Sequence, residues 1–180
     1  IELARPLHER ADLQPASVAR VCRVVGAAHG LLGRAVEARA SFEAGIRWAD
    51  AAGDRALAAH LQCLLADQDI RSGRLAEAEV LLRQARALDA RDEGVELVLA
   101  STEGQAALAR SEPMQARQCF ERALALARQQ GDRRWEGGIQ GNLGRLAIVN
   151  GQPDAARLAV TPLTIQAMSG LPSTCRPLGP

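Results

Sequence analysis

Three histidines and four cysteines are the side chains of this sequence best suited to metal binding or nucleophilic chemistry. Two of the histidines stand at helical spacing from a cysteine, Cys22 with His29 and His60 with Cys63. A zinc ion wants four converging nitrogen or sulfur ligands, and each of these pairs brings two. They read as thiols packed as small hydrophobes beside exposed imidazoles, and no metal is expected. Cys22, Cys63, Cys119 and Cys175 lie far apart and form no CxxC pair. That is the pattern of free thiols in a reducing compartment, expected to be the cytoplasm. All 22 basic residues are Arg. Without Lys the chain can supply neither a P-loop lysine nor a Schiff-base amine. No Ser-His-Asp set and no pair of catalytic carboxylates stands out, so the chain is read as no enzyme and as needing no cofactor.

The elements that carry these residues are helical throughout. The sequence is 47% hydrophobic but only 2% aromatic, so its apolar content comes from Ala and Leu, both strong helix formers. The Ala and Arg bias is that of a GC-rich bacterial coding sequence. A formal charge of +1 gives no global field toward nucleic acid or an anionic membrane. No run of about 18 apolar residues marks a transmembrane helix. The start at Ile1, with Glu2 and Arg5 close behind, is no signal peptide and points to an excerpt of a longer protein.

Residues 1–11 read as the remnant of a preceding repeat or a cap, with Asp12 capping the helix that follows and Pro15 in its first turn. Apolar periodicity then predicts helices over 17–32, 34–51, 55–71, 74–89, 95–110, 113–130 and 133–149. Gly33, Gly53, Gly73, Gly131 and Gly151 mark turns between them, and Asp54 and Asp132 suit N-caps. An eighth helix opens at Pro153 and is stopped near Pro162, closing a helical domain over 12–168. Residues 169–180 read as a disordered tail.

The turns within helix pairs, Gly33, Gly73, Ser111 and Gly151, recur at spacings of 40, 38 and 40 residues. Five residues beyond each stands an alanine: Ala38, Ala78, Ala116 and Ala156. Four further on stands a larger residue: Phe42, Leu82, Phe120 and Val160. Seven before each turn lie Gly26, Ala66, Gly104 and Gly144. Small residues let paired helices approach, and the larger one is expected to fill the space between neighbouring pairs. No pair buries its apolar face alone, so stacking supplies the core.

This register resembles the tetratricopeptide repeat family, most closely at Asn142-Leu143-Gly144, Asn150-Gly151 and Ala155-Ala156. The resemblance covers about residues 17–168. The spacing exceeds the usual period of about 34 residues and is similar to a longer variant in bacterial regulatory ATPases and transcription activators. Cys22, Gln62, Ala100 and Gln140 stand where the family has a large aromatic. The resemblance implies an all-α, right-handed α-solenoid of about four antiparallel helix pairs.

It also implies that the first helix of each pair lines a concave groove. That set is Arg20, Arg23, Ala27 and Leu31; His60, Cys63, Asp67 and Arg71; Val98, Ser101, Gln105 and Leu108; Gly138, Gly141, Asn142, Arg145 and Ile148. Four Arg against one Asp would favour an acidic peptide or a C-terminal carboxylate, which guanidinium forks bind bidentately. The rival reading is a solvated helix face with scattered Arg. Gly138, Gly141 and Gly144 are read as a close-packing face, with a ligand-pocket floor as the rival. Trp48 and Trp135 are read as covers over the ends of helix pairs. The function implied is a non-catalytic protein-interaction module whose partner is a protein or peptide, with self-association as a further option. The alternative is an effector-sensing region of a larger bacterial signalling protein.

Overall fold

A computed structural model describes residues 14–88 and 90–151. The readings of residues 1–11, of Asp12, of the eighth helix with its stop at Pro162 and of the tail over 169–180 lie outside the described residues. Among the described residues seven helices follow one another: α1 (Pro15–Leu31), α2 (Ala35–Ala51), α3 (Arg55–Arg71), α4 (Leu75–Ala87), α5 (Glu93–Ala109), α6 (Pro113–Gln129) and α7 (Arg133–Val149). No strand occurs among the described residues.

The helix ends follow from local chemistry. The Asp54 carboxylate accepts from the Leu57 amide at 3.0 Å, and that of Asp132 from the Trp135 amide at 3.0 Å. These bonds satisfy amides left without intrahelical partners. The connection into α5, which lacks the Gly-Asp pair, is built the same way by Arg91-Asp92. Arg91 takes the left-handed conformation (φ 47°), and Asp92 accepts from the Val95 amide at 2.9 Å. Within the pairs, Ser111 adopts φ 62° where Gly33 and Gly73 adopt 72° and 77°. The amide after the left-handed residue bonds back to the carbonyl five residues earlier, as Arg34 does to His29 at 2.9 Å and Glu112 to Ala107 at 2.9 Å. That is a Schellman closure. Left-handed backbone costs an L-residue about 1–2 kcal/mol, and Ser111 adopts it in the same closure that Gly33 and Gly73 make in the other pairs.

Consecutive helices pack on one another, and α3 also meets α1 and α5. The arrangement is helical-repeat-like. Helices α3 and α5 are buried on several sides, whereas α2, α4 and α6 each bury a single stripe, such as Ala38, Phe42, Gly45 and Ala49 on α2. Phe42 does more than fill the space between neighbouring pairs. A Cβ on Gly26 would stand 2.6 Å from its ring, so Phe42 also lies flat on α1 of its own pair. Phe120 repeats this on Gly104, again at 2.6 Å. Trp48 and Trp135 are half-buried, each packed against one of two core clusters.

Candidate partner-binding face

Helices α1, α3, α5 and α7 carry the residues assigned to a groove, and the structure brings six of them into two groups. Asp67, Arg71, Gln105 and Arg145 come together. The Asp67 carboxylate pairs with Arg71 at 3.0 Å, one turn along α3, accepts a hydrogen bond from Gln105 of α5 and feels the charge of Arg145 on α7. Burial raises the Asp67 pKa; Arg71, the Gln105 hydrogen bond and Arg145 oppose that shift. Arg23 and His60 form the second group. Burial is the main cause that lowers the His60 pKa, the Arg23 charge lowers it further, and Asp92 works against both. Arg20 stands at the edge, exposed, 4.0 Å from Asp54. Asn142 is half-buried, one turn before exposed Arg145.

Three assignments fail. Cys63, Val98 and Ser101 are buried in the core and line no groove. Helix α3 is wrapped by neighbours on more sides than a simple inner-face assignment allows, and its position 63 is enclosed. The Cys63 thiol is pushed up to about 12, chiefly by burial. The expectation of exposed imidazoles also fails, since His29 is buried. Gly138 and Gly141 do not serve close packing against the described residues. A Cβ at either would meet nothing within 4 Å. Gly144 is buried, so the three glycines do not form one face. Among the described residues no cluster of three or more His, Cys, Asp or Glu side chains could hold a metal.

A feature that the sequence reading missed lies between α4, α5 and α6. A cleft of about 570 Å³ is lined by Arg83, Arg86, Glu103, Arg110, Cys119 and Arg122, among others. Its charges are largely satisfied within the protein. Arg86 pairs with Glu103, Arg122 with Glu96, and Arg110 with Glu79 at 2.8 Å.

No protein-family model and no curated protein matches the chain. Among solved structures, the chain is similar to the crystal structure of BtubC (BKLC) from P. vanneervenii. The match covers 99% of this chain and 75% of that one, with a TM-score of 0.67 and 18% sequence identity. The likeness is one of fold. No described helix is long and apolar enough to cross a membrane.

Proposed function

We propose that this chain is a tetratricopeptide-like interaction module of the cytoplasm. Its helix pairs wind as a right-handed superhelix whose inner helices α1, α3, α5 and α7 bind an acidic peptide of a partner protein. The convergence of Asp67, Arg71, Gln105 and Arg145 from three helices carries this reading. Residues far apart in sequence share one polar strip there, with two guanidinium groups and one carboxylate. A partner carboxylate would share or replace Asp67 on those guanidinium groups, because ionic hydrogen bonds to Arg are stronger than neutral ones. Binding of this kind involves no chemistry, only alignment of a peptide along a preformed strip.

The test is a fluorescently tagged library of Asp- and Glu-rich peptides, titrated against the purified chain. Arg145→Glu is expected to weaken the best binder by about tenfold or more, since it removes an attraction and adds a repulsion. Asp67→Asn is expected to strengthen it, because the competing carboxylate is gone. Unchanged affinity in both Arg23→Glu and Arg145→Glu, or a library that yields no binder, would overturn the proposal.

A further inference from the structure

The chain repeats one of its own interfaces, and the register shows where a further copy of that interface belongs. On α3, Leu61 and Leu65 are packed in one cluster with Ala38, Phe42 and Ala49 of α2, and half-buried Leu64 lies against them. The α2 backbone comes so close that a Cβ on Gly45 would stand 3.1 Å from Leu61. Val21, Val24 and Val25 take the places of Leu61, Leu64 and Leu65 on α1, 40 residues earlier. There Val21 is 40% and Val24 60% exposed, against 0% for Leu61 and 2% for Leu65. Leu31 and Leu32, at the end of the same helix, are exposed as well.

A polar bridge accompanies the interface at two junctions, between α2 and α3 and between α4 and α5. Asp69, fully buried, accepts from Arg39 of α2 at 2.6 and 2.7 Å and from Arg74 at 2.7 and 3.0 Å. One repeat later Glu79 and Glu112 stand in the register places of Arg39 and Arg74, and both pair with Arg110, three residues beyond the place of Asp69, at 2.8 Å. On α1, His29 and Arg34 stand in the register places of Asp69 and Arg74. His29 Nδ1 is buried without a hydrogen-bond partner, and Arg34 is exposed and unpaired among the described residues. The third member of the bridge, the one supplied by α2 or α4 elsewhere, is missing.

We propose that this face of α1 is a docking surface for an amphipathic partner helix seated as α2 is on α3, carrying a carboxylate opposite His29 and Arg34. A carboxylate satisfies both groups, accepting from an imidazole N–H and pairing with the guanidinium. An arginine at that place, as in α2 itself, would face Arg34 with like charge. The valines supply the apolar area, and the carboxylate fixes the register.

The probe is a synthetic peptide of residues 34–52 with Arg39→Glu, cross-linked between positions 36 and 40, both exposed on α2. Titration into isotope-labelled chain is expected to shift the amides of Val21, Val24 and His29. The glutamate peptide should bind about fivefold more tightly than the same peptide with Arg39 retained. Val24→Asp should weaken both peptides, and Arg34→Ala should erase the difference between them. Shifts confined to other helices, no binding at about 1 mM, or equal affinity of the two peptides for the native chain would each overturn the proposal. Persistence of the glutamate preference in Arg34→Ala would also overturn the assigned bridge.

Discussion

His60 shows how a residue with an ordinary sequence signature acquires a specific behaviour. The sequence predicts an exposed imidazole beside a cysteine, but the side chain is largely enclosed, and burial together with Arg23 lowers its pKa below the usual 6.5. The folded protein therefore sheds the His60 proton more readily than the unfolded chain does. In the window between the lowered folded value and 6.5, the unfolded state binds more protons, so stability falls as pH drops through it. His60→Gln is expected to lose less stability between pH 8 and pH 5 than the native chain, read as the shift in urea midpoint. An equal loss in both would remove His60 as the cause. An acidic peptide beside Arg23 would raise the His60 pKa again, so its binding should strengthen toward lower pH and take up a proton.

At the scale of elements, the paired positions of the repeat vary together. Gly26 sits under Phe42 and Gly104 under Phe120, while the corresponding pair in between is Ala66 with Leu82. The ring needs the volume that a Cβ would take, and the smaller Leu leaves room for it. Gly104→Ala is thus expected to destabilise by about 1–3 kcal/mol through overpacking, despite the better helix propensity of Ala. Gly104→Ala combined with Phe120→Leu rebuilds the Ala-Leu pair and should recover much of that loss in a denaturant melt. A double variant no better than the sum of its single changes would show that the two positions are not coupled. The helices themselves were legible: α3 and α7 match their expected ranges, and α1, α2, α4, α5 and α6 differ by one to two residues at their ends. The turn into α5 was the least legible, because Arg91 occupies a left-handed position that composition assigns to Gly.

Across the whole molecule, stability is shared between repeat units and the junctions that join them. The Arg39–Asp69–Arg74 bridge ties α2 to the pair that follows. Removing the buried carboxylate in Asp69→Ala leaves two guanidinium groups that keep partial access to water. The expected cost is therefore about 2 kcal/mol, below that of a fully enclosed ion pair. The loss should be local as well. Hydrogen exchange is expected to quicken in α1 and α2 more than in α5 and α6, because the junction released is the one between the first two pairs. Uniform acceleration along the chain would mean a single cooperative unit instead. The junction between α4 and α5 is more open than the first, with the cleft of about 570 Å³ beside it and the ion pairs of Arg86 and Arg122 spanning its sides.

The sequence by itself determined the helical class, the turn positions and the register of small and large residues. Those depend on local propensity, on capping and on a periodicity read within one or two turns. The resemblance to the tetratricopeptide repeat family, laid on that register, added Arg71, Asp67, Gln105 and Arg145 as groove residues. Only the tertiary structure decided which of the selected residues face solvent. Cys63, Val98 and Ser101 share the groove register but are enclosed, because α3 and α5 are flanked by neighbours before and after them. It likewise decided that Gly138 and Gly141 meet no described neighbour while the space over Gly104 is filled by a phenyl ring. A glycine in a sequence reports the absence of a side chain, and what occupies that space is set by the distance to the next helix.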